Sequence, residues 1–185
     1  MRRAILLDLL LRYTPIDTAD AVCRARFASF VSSHPDCFER SHEIGHVTGS
    51  AWIMDVSGRC VLLTHHRKLE IWVQPGGHAD GDADIAAVSL REAAEETGLT
   101  NLVRVDESIF DLDIHPIPAR EGTPAHDHFD VRFAYRAAGG RAFIVSEESH
   151  DLAWAPLEEL ETWTREPSML RMREKWRRLD GVTPF

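Results

Sequence analysis

Three carboxylates carry the strongest chemical signal in the chain. Glu92, Glu95 and Glu96 stand at i, i+3 and i+4, a spacing that places all three on one face of a helix. Residues 77–99 hold six acids and one base, and like charges this close destabilise an isolated helix. Arg91 can reach Glu95 at i+4, but one guanidinium cannot neutralise three carboxylates. A hard divalent cation can, because Mg²⁺ and Mn²⁺ prefer oxygen ligands and commonly bridge protein carboxylates to substrate phosphates. Pro75-Gly76-Gly77 reads as a turn just before this segment, and it lets backbone approach the site with no side chain in the way. A lone Glu-x-x-Glu-Glu is most often a solvated helix face. The Gly-Gly turn, Arg91 directly before the first glutamate and the Gly98-Leu99 stop argue against that here.

The elements that must position these groups can be read from periodicity. Residues 84–97 read as a helix, with Asp84 accepting first-turn amides and Gly98 at the left-handed stop. Ile85, Val88, Ser89 and Ala93 give it a small, partly apolar packing face. Strands are expected over 47–54, 60–64 and 72–74, with a turn at 55–58. Further extended segments are 102–105 and 109–114, followed by a loop over 116–124. Residues 128–135 alternate cleanly as a strand, and 152–154 make another. A brief helix opens near Pro156 and Glu158, and a last one covers 168–179. Ahead of all this, residues 1–35 read as helical: Ile5, Leu6, Leu9 and Leu10 form one stripe, and Asp17 or Thr18 caps a second helix. The chain is therefore expected to hold an N-terminal helical extension (1–40) and a main domain (41–185) of α/β (α+β) class with a mixed sheet.

Residues 77–99 resemble the Nudix box, G-x5-E-x7-R-E-U-x-E-E-x-G-U with U apolar. Gly77, Arg91, Glu92, Glu95, Glu96, Gly98 and Leu99 match, and Ala93 fills the apolar slot. Ala83 stands where the family usually has Glu, flanked by Asp82 and Asp84. Trp72-Val73-Gln74-Pro75-Gly76-Gly77 and residues 154–160 are also similar to Nudix sequences, which extends the likeness over about 45–165. The resemblance implies a Nudix-type α/β/α sandwich with a mixed sheet. It implies Mg²⁺- or Mn²⁺-dependent hydrolysis of a pyrophosphate bond in a nucleoside diphosphate linked to another moiety. It carries metal-ligand roles to Glu92, Glu95, Glu96 and the Gly76 carbonyl, with Glu96 also helping to activate water and Arg91 orienting the glutamates. Glu147 or Glu148 is expected to supply a further ligand or base. The substitution at Ala83 motivates an alternative, a catalytically impaired Nudix-fold nucleotide-binding or regulatory domain.

The chain has ten histidines. His126, His128 and Asp130 alternate, so they share one strand face if the strand extends that far back. With His115, and Asp111 or Asp113, they are candidates for substrate contact or a second metal site. His78 follows the Gly-Gly turn and is a candidate substrate contact too. His42, His46, His65 and His66 read as structural. A weaker idea is a metallohydrolase built on the histidines, which would survive Glu96→Gln and fail with His126→Ala.

Composition excludes several classes. The 185 residues carry 21 basic and 30 acidic side chains, a net charge of −9, so phosphate neutralisation of a nucleic acid is not available at the level of the whole chain. The basic run Arg171, Arg173, Lys175, Arg177 and Arg178 reads as a solvated helix face. Three cysteines with no CxxC fit free thiols in a reducing compartment. Residues 1–11 imitate a signal peptide, but Asp8 interrupts the apolar run, so an amphipathic helix is expected. No stretch reaches the roughly 18 apolar residues of a membrane span. The expected setting is cytoplasmic, and the expected partner a small nucleoside diphosphate derivative rather than nucleic acid or membrane, with a homodimer possible through the helical lead. No GxSxG, Walker A or GxGxxG motif occurs.

Overall fold

The computed structural model describes residues 2–67, 70–120, 122–145 and 149–180. Its centre is a parallel pair of strands, β1 (Gly45–Met54) and β7 (His126–Ala137), in register from Gly45↔Asp127 to Met54↔Arg136. All ten residues of β1 are buried. The far edge of β7 takes β6 (Asp111–Ile117) and β5 (Leu102–Arg104), both antiparallel. On its other side β1 pairs with β4 (Gly76–His78) along Thr48–Ser50, and with β2 (Cys60–His66) at Met54. β2 continues the sheet to β3 (Ile71–Val73) and β8 (Ser149–Pro156). The sheet is mixed and flanked by helices on both faces, as the sequence leads one to expect.

The period-two alternation of β1 and β7 makes two cores. Val47, Ala51 and Ile53 join Phe129, Val131, Phe133 and Tyr135 on one face. That face is covered by α1 (Ala4–Arg12), α2 (Thr18–Ser33) and α3 (Ile85–Thr97). Phe30 stacks on Phe129 at 3.8 Å between ring centroids, so the N-terminal helices share one core with the sheet. α3 lies close against β1 at Gly49, where a Cβ would meet the Ile85 carbonyl and the Ser89 amide at 3.1 Å. The Ser89 and Tyr135 hydroxyls, 2.7 Å apart, tie α3 to β7. On the opposite face Trp52, Met54 and Ala134 pack against Met169, Met172 and Trp176 of α5 (Pro167–Asp180), together with residues around α4 (Leu160–Trp163). Among the described residues, no helix is long and apolar enough to cross a membrane.

A buried ion network closes the sheet against α5. Arg132 is 2% exposed, and its guanidinium meets Asp130 at 2.7 Å, Asp111 at 3.1 Å and Asp113 at 3.3 Å. Arg171 reaches Asp111 at 2.8 Å and Asp113 at 2.9 Å. Lys175 lies 2.6 Å from Asp111 and 2.9 Å from Asp20 of α2, and also donates to the Tyr13 hydroxyl. This corrects the reading of the basic run as a solvated face. Arg171 and Lys175, at i and i+4, sit on the buried side of α5 beside Met172 and Trp176, while Arg173 and Arg177 pair with surface glutamates.

Several element boundaries also differ from the sequence reading, two of them instructively. Pro75-Gly76-Gly77 is not only a turn: Gly76 and Gly77 pair with Ser50 and Gly49 as β4. Glycines carry no alternation to read, and the ladder forms because β1 offers an open edge there. The expected loop at 116–124 begins later, because Pro116 and Ile117 belong to β6. β6 is an edge strand, and a proline is tolerated on an edge.

Removing one member of a buried ion network leaves the others desolvated and unpaired, a cost of about 3–5 kcal/mol. Arg132→Met should therefore lower the unfolding free energy by about that amount, read from urea denaturation with a matched m-value. A loss below about 1 kcal/mol would show that water enters the network.

Candidate active site

The glutamates reach the edge of β4 because α3 crosses the sheet at Gly49. Asp84 caps the helix by accepting from the Ala87 amide at 3.1 Å, and Gly98 ends it at φ +69°. The carboxylate of Glu96 is buried and accepts from the Gly76 amide at 3.1 Å. Glu92 lies over Gly77 so closely that a Cβ there would stand 2.2 Å from its Oε2. Glycine at 77 therefore makes the space the carboxylate occupies. Arg91 turns its guanidinium to Glu92 at 3.1 Å, to the His78 carbonyl at 3.3 Å and towards Asp82 at 3.9 Å. Among the described residues it makes no ion pair with Glu95, which is exposed. The like charges thus spread out: Glu92 against Arg91, Glu96 against backbone, Glu95 in solvent. The carboxylates and the glycine backbone offer oxygen donors, the chemistry that a hard divalent cation prefers.

Ala83 faces inward and packs against the core under α3. The flanking acids have local duties: Asp84 caps the helix, and Asp82 accepts from the Asp84 amide at 3.0 Å while facing Arg91. Glu147 and Glu148 lie outside the described residues.

Next to this edge the sheet carries a polar face, much of it buried. On the face opposite α3, β1 presents His46, Thr48 and Ser50, β7 presents His126, His128, Asp130 and Arg132, and β6 presents Asp111, Asp113 and His115. Thr48 and Ser50 donate to Asp130 at 2.9 and 2.8 Å, and Gln74 reaches it at 3.4 Å. Burial works to raise the Asp113 carboxyl, but the His115 hydrogen bond and the Arg132 and Arg171 guanidiniums outweigh it and hold it well below the usual range. Asp111 and Asp113 are thus committed to cations of the fold, which removes them from the second metal site imagined with His115, His126 and His128. The rings of those three do lie together, at 5.3–5.4 Å between neighbours. His78 and His46 join them, each about 5.0 Å from His128.

His46 is the functional candidate that sequence reasoning missed. It is 3% exposed, and neither ring nitrogen has a hydrogen-bond partner. The available signal was the matched alternation of 46, 48 and 50 with 126, 128 and 130.

A family model described as the NUDIX domain matches residues 44–175. The chain belongs to the Nudix family. The match spans both the α3 glutamates and the polar sheet face. Solved Nudix-type structures share the fold at low identity. An Ap4A hydrolase binary complex from C. elegans is 17% identical at a TM-score of 0.61, covering 74% of this chain and 98% of the other. The NUDIX domain of Shewanella oneidensis NrtR complexed with ADP ribose is 20% identical at 0.52, covering 84% and 98%. A MutT protein from Methanosarcina mazei Go1 is 18% identical at 0.55, covering 75% and 97%. No curated protein matches the sequence.

Burial, with His78 and His126 nearby, holds His46 down to about 4, and burial with His78 and His115 holds His128 down to about 2. In the unfolded chain both titrate near 6.5, so below that pH the unfolded state binds more protons. The stability these neutral rings allow is complete above about pH 6.5 and drains as pH falls towards 4, with the His128 part continuing towards 2. Urea midpoints measured from pH 7 to pH 4.5 should fall, and His46→Gln should flatten part of that slope. A wild-type profile flat across this window would contradict the neutral cluster.

Proposed function

We propose that the chain hydrolyses a phosphoanhydride bond in a nucleoside diphosphate derivative, with Mg²⁺ or Mn²⁺ held by Glu92, Glu95, Glu96 and the Gly76 carbonyl. The observation that carries this reading is the seating of Glu92 and Glu96 on the glycine edge of β4, in a chain of the Nudix family. A bound divalent ion would offset charge on the phosphates and lower the pKa of an attacking water. Arg91 braces Glu92 and fixes the β4 turn through the His78 carbonyl. Glu96, anchored on the Gly76 amide, would orient water and take its proton. Glu147 or Glu148 is the further ligand or base of this proposed set. The polar sheet face would receive the phosphates and their substituent, with His78, His115, His126 and His128 as contacts.

Ala83 keeps a second reading in play, a nucleotide-binding domain without turnover. Its inward packing supports the hydrolase instead, because that position contributes to the core and not to the glutamate face. The related structures bear names that speak of Ap4A hydrolysis and ADP-ribose binding, and both are phosphoanhydrides.

The test is phosphate release from nucleoside diphosphate sugars, dinucleoside polyphosphates, nucleoside triphosphates and ADP-ribose, with and without Mg²⁺ or Mn²⁺. Turnover should require the ion, and Glu96→Gln should lower kcat by about 100-fold or more, the scale of a lost general base. Tight nucleotide binding with no turnover would favour the binding domain. A second variant separates metal holding from chemistry. Gly77→Ala should leave the fold intact while displacing Glu92, raising the metal concentration needed for half-maximal activity. An unchanged metal requirement would remove Glu92 from the ligand set.

A further inference from the structure

Among the described residues, the one group of three metal-ligating side chains whose donor atoms already converge is not the glutamates. It is His46 of β1, His78 of β4 and His128 of β7, with one ring nitrogen from each lying within 4.8 Å of the others. We propose that these three imidazoles form a second metal site, distinct from the carboxylate site, that takes a borderline transition-metal ion of the Zn²⁺ type.

Three independent features support it. The first is the donor set. Imidazole suits zinc, copper and nickel, whereas Mg²⁺ seeks oxygen, so the two neighbouring sites would sort ions by ligand chemistry. The second is the cost of His46. A buried polar group without a partner is expensive, yet both His46 nitrogens are enclosed and bond to nothing. A metal would satisfy one of them directly. The third is rigidity. The three residues sit on adjacent strands, with His46 opposite His128 and Thr48 opposite His78 in the ladders. Their backbones are therefore fixed, and only ring rotations are needed. Tetrahedral Zn–N bonds of about 2.1 Å put ligand atoms about 3.4 Å apart, so closure asks for roughly an ångström of movement per ring.

The remaining position would open onto the polar sheet face. A pocket of about 300 Å³, lined by Arg40, His42, Thr123 and His126, lies beside the cluster, since the His126 ring neighbours those of His46 and His128. Three histidines with one open position are the pattern of a metal that keeps a water or a ligand oxygen. Such an ion, two residues along β4 from Gly76, would add a positive charge where a substrate's phosphates are expected to lie.

The experiment uses the full chain, stripped with a chelator and then titrated with Zn²⁺ in saturating Mg²⁺ by calorimetry. The same protein loaded with Co²⁺ is read by visible absorption, which is intense for a low-coordinate nitrogen site and weak for an octahedral oxygen one. The wild type should bind one Zn²⁺ per chain and give the intense Co²⁺ bands. Glu95→Gln should keep both, and His78→Ala and His46→Gln should weaken Zn²⁺ binding by more than the roughly 10–100-fold typical of changes around a ligand. His78 is half-buried, so it covers the case in which the His46 variant does not fold. His150→Ala, remote from the cluster, should bind as wild type does. Absent zinc binding in the wild type, or binding lost in Glu95→Gln and kept in His78→Ala, would overturn the site. The readout is binding rather than turnover, so it stands or falls separately from the hydrolase.

Discussion

The burial of Arg132 among three aspartates is the constraint on which the rest of the structure depends. A charge this enclosed survives only when its partners are fixed around it. Asp111 and Asp113 come from β6, Asp130 from the same strand, and their leftover acceptors draw in Arg171 and Lys175 of α5. The network sets the register of the β6 edge and the docking of the last helix. It also holds Asp130 in place, and Asp130 in turn gathers Thr48, Ser50 and Gln74 beside the glycine edge.

One sheet face is thereby divided. Its upper half, around Trp52, Met54 and Ala134, is an apolar core under α5. Its lower half, from Ser50 and Asp130 down to His46 and His126, is polar, and the ion network runs along the boundary. The opposite face is apolar from Val47 and Phe129 to Ile53 and Phe133, and carries α1, α2 and α3. The acidic end of α3 is therefore brought to the strip of β4 where the polar half-face meets the sheet edge.

Much of this was legible in the residues. The glutamate spacing, the Asp84 cap and the Gly98 stop are local signals, and they specify α3 almost to the residue. The alternation of 128–135 specified the long strand and the shared face of His126, His128 and Asp130. Local patterns failed where partners are distant. Gly76 and Gly77 show no strand pattern of their own and become β4 only because β1 has an open edge. His46 looked structural because nothing near it in sequence announces His78 or His128. The inward turn of Arg171 and Lys175 could not be seen from a basic run alone, since their acids lie about sixty residues upstream in β6 and, for Lys175, also far back at Asp20. Helix periodicity put the two on one side of α5, but only the tertiary fold says that this side is buried.

The clasp of Lys175 on Tyr13 and Asp20 has a consequence for how the chain acquires its shape. The lysine and the tyrosine are separated by 162 positions, and Thr48 waits 82 positions for Asp130. Contacts this remote gain nothing until long loops have closed, and such closure slows folding. During synthesis α1 and α2 emerge early with Phe27 and Phe30 exposed, and their stacking partner Phe129 emerges about a hundred residues later. The first two helices cannot complete their seat until β7 and its Phe129 have been made, and the last helix, made later still, adds the Lys175 clasp.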